Sequence, residues 1–61
     1  MSEILDMYNN IVDLESDMIL NPDNYSEEFR KKCKAVIKRT EKRLRDLGYI
    51  IDEEGELKSL S

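Results

Sequence analysis

Over the first third of the chain, apolar side chains return every three or four residues. Ile4, Leu5, Met7, Tyr8, Ile11, Val12, Leu14, Met18 and Ile19 fall, at 3.6 residues per turn, within one arc about 180° wide. Asp6, Asn9, Asn10, Asp13, Ser16 and Asp17 take the opposite half. This period predicts a helix over 3–20. Ser2 is a suitable N-cap, and Glu3 puts a negative charge at the positive end of the helix dipole. Asn21-Pro22-Asp23-Asn24 ends it, because a residue before proline is pushed out of the helical region and Asn and Asp side chains favour turns. A turn is therefore expected over 21–26.

Ser26 followed by Glu27 and Glu28 marks a second helix start, again with acid in the first turn. Phe29, Cys33, Val36, Ile37, Thr40, Leu44 and Leu47 repeat at helical spacing in a stripe about 100° wide. The second helix is expected over 27–47, closed by Gly48 in the left-handed conformation. Tyr49-Ile50-Ile51 then has β character, Asp52-Glu53-Glu54-Gly55 is turn chemistry, and Glu56-Leu57-Lys58 can return as a strand. A short hairpin or tail is expected over 49–60, and so small a hairpin holds only if it packs on the helices.

Two helices joined by so short a turn form an antiparallel hairpin. Counting outward from the turn puts Met18 level with Phe29, Ile11 with Val36, Tyr8 with Thr40, and Ile4 with Leu44. The expected fold class is all-α: an antiparallel two-helix hairpin with a short C-terminal β-hairpin or tail, one small domain over 1–61. The first helix has a wider apolar arc than the second can cover. The C-terminal segment, a second copy of the chain, or a target protein must cover the rest. A chain of 61 residues buries only about 60 % of its unfolded surface, so small domains need a staple. One cysteine and no histidine leave neither an internal disulfide nor a zinc site. Self-association is what remains, and a homodimer assembled as a helical bundle, with the first helix lining its centre, is the expectation.

Charge changes this picture most. Residues 1–29 carry eight carboxylates and no Lys or Arg; nine of the ten basic residues lie between Arg30 and Arg45, interrupted only by Glu41; the remaining tail is acidic. The second helix is thus basic outside its apolar stripe, and the first is acidic outside its arc. Several cations, among them Lys34, Lys38 and Lys42, stand four apart and repel by a few tenths of a kcal/mol per pair. Their presence against that cost points to an acidic surface met from outside, that of another protein. Lys31, Lys34, Lys38, Lys42 and Arg45 share one outer face and are the candidate docking residues. Nucleic acid is the alternative, since a helix followed by a hairpin resembles the end of a winged helix-turn-helix. The acidic tip at Asp52, Glu53 and Glu54, the net charge of −4 and the scarcity of stacking aromatics weigh against it. A third reading has Asp6, Asp13 and Asp17, with the tip from Asp52 to Glu56, imitating nucleic-acid phosphates.

Inside the apolar faces stand a few polar groups. Glu15 is the one charge in the first arc; it either reaches the hairpin's edge to pair with Lys32 or a neighbouring lysine, or forms a buried pair that fixes register. Thr40, at the middle of the second stripe, could bond the Tyr8 hydroxyl. Glu15, Tyr8, Ile11 and Thr40 are accordingly the candidate residues for core or oligomer specificity. Cys33 sits on the apolar stripe as a small hydrophobe. There is no histidine and no glycine-rich phosphate loop, and paired carboxylates such as Glu53 and Glu54 fall in an expected turn open to solvent, so no enzyme, metal or cofactor is expected. The acidic start Met1-Ser2-Glu3 is unlike a signal peptide and no apolar run approaches a membrane span, which suggests a cytoplasmic protein.

The stretch Leu47-Gly48-Tyr49-Ile50-Ile51 after a basic helix resembles the end of the Sda-type helical hairpins, small bacterial inhibitors of sporulation sensor kinases. It covers a few residues of a common helix-ending pattern, and implies that a two-helix hairpin of this size can act as an inhibitor. The expectation for function is a small, non-enzymatic regulatory protein, inhibitor or adaptor, that binds and occludes a partner protein. Its size and charge blocks also suit proteins encoded by bacteriophages or mobile elements.

Overall fold

Both helices start where a serine leaves the extended conformation and caps the next turn. A computed structural model describes residues 2–60; Met1 and Ser61 lie outside the described residues. Ser2 accepts from the Leu5 amide at the head of helix α1 (Glu3–Leu20). Ser26 accepts from the Phe29 amide, 3.2 Å away, at the head of helix α2 (Glu27–Asp46). Between them Asn21 leaves the helical region and Pro22 opens a single 3-10 turn, Pro22–Asn24. Helix α2 ends one residue before the sequence suggests. Leu47 still donates to the Arg43 and Leu44 carbonyls, and Gly48 then takes φ 94°, a conformation that costs a residue with a Cβ about 1 kcal/mol.

An ordered hairpin comes next. Strands β1 (Tyr49–Ile51) and β2 (Leu57–Ser59) pair antiparallel, Tyr49 with Ser59 and Ile51 with Leu57. The second strand begins one residue later than its expected start at Glu56. Asp52 builds the turn: its Oδ1 accepts from the amides of Glu54 and Glu56, both at 2.9 Å. The Glu56 amide, then Lys58, whose Nζ lies 3.0 Å from Oδ2, hold the Asp52 carboxyl below its ordinary value.

The core is a single line of side chains between the helices. Ile11, Met18, Cys33, Ile37 and Leu44 are buried, Leu44 completely. Ile4, Met7, Leu14 and Tyr25 pack on it from the helices and the turn, and Tyr49, Ile51 and Leu57 pack on it from the hairpin. The C-terminal segment therefore covers part of the apolar surplus. The Tyr8 hydroxyl donates to the Gly55 carbonyl at 2.5 Å, tying α1 to the hairpin turn.

Two expected polar contacts do not form. Thr40 donates to the Val36 carbonyl at 2.9 Å instead of meeting Tyr8. A helical threonine has a carbonyl one turn back within reach, whereas Tyr8 is drawn to the hairpin. Glu15 is exposed and forms no ion pair among the described residues, and none of their polar side chains is buried. Lys32 could not reach Glu15: two residues along a helix rotate it about 200° from Lys34, the lysine that does stand near Glu15. Nor is the stripe of α2 fully covered. Phe29, Val36 and Leu47 are 49 %, 45 % and 41 % exposed, and Ile19 and Leu20 of α1 are exposed as well.

Tyr25, in the turn, fastens the two helices together. Its hydroxyl donates to the Asp17 carboxylate, and its ring stacks on Phe29, centroids 5.2 Å apart and planes 14° from parallel. Asn21 adds a second bond to Asp17 at 2.8 Å. Tyr25 first, then Asn21, lowers the Asp17 carboxyl from its ordinary 3.8. The same contact, aided by partial burial, raises Tyr25 from 10.0 to about 12. A lowered carboxyl contributes stability above 3.8 that is lost as pH falls through its folded value. A raised phenol contributes stability below 10 that is lost as pH rises towards 12. The thermal midpoint of the protein should thus exceed that of Tyr25→Phe most between about pH 4 and pH 10. Melting both across pH checks this; a gap independent of pH would contradict it.

Candidate functional site

Lys31, Lys34, Lys38, Lys42 and Arg45 are spaced three or four apart along α2, which brings them to one side of the helix. All five are exposed. Among the described residues none of them forms an ion pair. The pairs that do form are Lys58 with Asp52 and, between the helices, Arg43 with Glu3 at 3.9 Å. The latter joins two exposed side chains, a geometry worth little. The acidic helix therefore does not neutralise the basic one within the chain. The reason is geometric: the apolar faces point inward, so the charged faces point apart.

The strip of cations lies on the side of the helix pair that carries the hairpin. Lys34 and Lys38, with Arg30 and Glu41, wall a groove floored by Met18 and Ile37 and bordered on α1 by Glu15 and Ile19. Further along, Lys42, Arg45 and Glu41 border a second hollow with Leu44, Ile50 and Ile51. Charge and accessible apolar surface are thus adjacent. Sequence reasoning singled out the cations but not Arg30, Ile19 or Ile50 beside them, because their position depends on how the helices and the hairpin meet.

Of the four candidates for core or oligomer specificity, Ile11 and Thr40 line one small cavity between the helices, and Tyr8 and Glu15 stand apart from it. Ile11 is buried in the core; Tyr8 is turned to the hairpin; Thr40 lies on the other side of the helix pair, beside Met7, Asn10 and Val36; Glu15 stands on the rim of the groove. Tyr25 was missed, since a turn residue belongs to no periodic stripe. Of the acidic groups, Asp17 is engaged by Tyr25 and Asn21 and Asp52 by its own turn. Two of the carboxylates in the phosphate-mimic reading therefore serve internal structure, while Asp6, Asp13, Glu53, Glu54 and Glu56 are exposed.

Among the described residues no three Cys, Asp or Glu side chains gather as a metal site, and no helix is long and apolar enough to cross a membrane. Compared with models of known families, with curated proteins and with solved structures, the chain matches none of them.

Proposed function

We propose that this chain is a small regulatory protein, dimeric and without catalytic activity of its own, that docks the outer face of α2 on an acidic protein surface and occludes it. The observation that carries this is the strip Lys31, Lys34, Lys38, Lys42 and Arg45, exposed and without ion pairs among the described residues. A helix orders the backbone that carries these cations in advance, so little backbone freedom is lost on binding. The apolar floor and rim at Met18, Ile37 and Ile19 add a contact that pure charge steering lacks. An acidic protein surface fits better than nucleic acid because Glu15 and Glu41 stand within the groove and the hairpin tip carries Glu53, Glu54 and Glu56. A protein partner can set its own carboxylates opposite the cations and away from these groups, whereas the evenly spaced phosphates of a duplex would meet them with like charge.

The test is capture from lysate of the organism that encodes the chain, with the protein and its Lys38→Glu/Lys42→Glu variant side by side. The double reversal should abolish capture of a defined partner while far-UV circular dichroism stays the same, because both side chains are exposed. Capture unchanged by the reversal would overturn the proposal. Retardation of duplex DNA at low salt, lost in the variant, would favour the nucleic-acid reading.

A further inference from the structure

On the side of the helix pair away from the hairpin, an apolar seam lies open. Phe29 and Val36 of α2 and Leu47 at its C-cap, each more than two-fifths exposed, succeed one another along the helix, and Met7 and Leu14 of α1 line the same side opposite Val36. The seam follows α2 for about 30 Å, bridged between Val36 and Leu47 by the Arg43–Glu3 pair. Its two edges differ in sign. The α2 edge carries Lys32, Arg39 and Arg43; the α1 edge carries Glu3, Asp6 and Asp13, on a helix with no basic residue.

We infer that this seam is the contact between two copies of the chain, related by a two-fold axis lying in the interface parallel to the helices. The inference specifies the dimeric part of the proposed function and does not depend on the docking strip. Such an axis exchanges left and right but not the direction of the helices, so α1 of each copy comes to lie over α2 of the other, antiparallel to it. Acidic edge then meets basic edge twice, as a self-complementary contact requires. The chain itself sets the register. Glu3 stands level with Arg43 within one copy, and the same level places Asp6 opposite Arg39 and Asp13 opposite Lys32 of the second copy. Both pairs are separated by seven residues on each helix, two helical turns, so the two contacts share one line. The alternative axis, perpendicular to the helices, would set acidic α1 on acidic α1.

A standard interface takes roughly 800 Å² from each partner, about a sixth of the 4998 Å² that this chain exposes. Packing there would cover Phe29, Val36 and Leu47 and leave both cation strips facing outward on opposite sides. The groove on the hairpin side is the weaker dimer contact. The hairpin occupies part of that side, and α1 brings a single carboxylate to its border, Glu15, against the cations Arg30, Lys34 and Lys38 of α2.

Sedimentation equilibrium of the full chain from about 1 to 500 μM tests the assignment. The wild type should sediment as a dimer. Val36→Glu should shift the dissociation constant at least 100-fold towards monomer with helicity retained, while Ile19→Glu should not shift it. The charge arm uses Asp13→Lys and Lys32→Glu. Each alone should weaken the dimer about tenfold, and an equimolar mixture of the two should form mixed dimers in preference to either alone. A wild type monomeric throughout overturns the inference together with the dimeric part of the proposed function, leaving the docking strip untouched. A dimer broken by Ile19→Glu but not by Val36→Glu overturns the assigned face alone. Absence of preferential mixing overturns the axis. Should Val36→Glu lose helicity, Val36→Ser serves in its place, with the same two outcomes.

Discussion

Leu44→Ala should remove most of the stability of this protein. Among the described residues Leu44 is the one fully buried side chain, 0 % exposed, at the point where α2 meets the hairpin residues Ile50 and Ile51. Truncating a buried leucine to alanine costs about 2–5 kcal/mol, through lost transfer free energy and the cavity left behind. Small domains hold about 0.05–0.15 kcal/mol per residue, which for this chain is on the order of 3–9 kcal/mol. A loss of that size moves the urea midpoint by roughly 2 M or more at a slope near 1 kcal/mol per M. Circular dichroism through a urea titration measures it. A shift under about 0.5 M would mean that the site collapses onto the cavity and that the core centres elsewhere.

A chain ended at Gly48 should lose its cooperative unfolding transition. Truncation removes Tyr49, Ile51 and Leu57 from the core, bares Leu44, and takes the Gly55 carbonyl from the Tyr8 hydroxyl. What stays is two helices of 18 and 20 residues meeting along one narrow line. Most helical stability in a protein comes from packing an amphipathic face rather than from intrinsic propensity, and α2 is further weakened by like charges one turn apart. The truncated chain should show reduced helicity and a broad, shallow urea response at micromolar concentration. A transition as sharp as that of the full chain would show that the hairpin is an appendage and not part of the core. The wild-type hairpin is the complementary case. Three-residue strands are marginal alone, and these hold because Ile51 and Leu57 insert between hairpin and helices.

The elements were legible because each is governed by a local rule. The 3.6-residue period of Ile4 to Ile19 and of Phe29 to Leu47 marked the helices, Ser2 and Ser26 their starts, Pro22 and Gly48 their ends. The end of α2 and the start of β2 each moved by one residue, because the last hydrogen bonds of an element depend on how the neighbouring segment packs. The side chains at the edges of each stripe were less legible. Thr40 was expected to reach Tyr8, and both sit at the same level of the hairpin, but on opposite sides of it. A helical wheel gives an angle and a height for each residue, and it does not say which flank the third element will cover.

For the candidate site the balance is similar. The strip from Lys31 to Arg45 could be read directly, since residues three and four apart on a helix must share a side. That it carries no internal ion pair among the described residues could not, because pairing depends on where α1 places its carboxylates relative to α2. Asp17 shows why: in sequence it is one more acid on an outer face, and in the structure Tyr25, eight residues on, turns it into the fastening of the helical turn.

By itself, then, the sequence determined two amphipathic helices, one acidic and one basic, with their caps, their turn and a short hairpin. These arise from periodicity and backbone preference, which act within a few residues. Only the tertiary structure decided that the hairpin lies on one side of the helix pair, that Leu44 is the centre of the core, and that the cations stand on the covered side while Phe29, Val36 and Leu47 form an open seam on the other. Those outcomes come from contacts between residues far apart in the chain, where several arrangements satisfy the same local pattern and packing selects one.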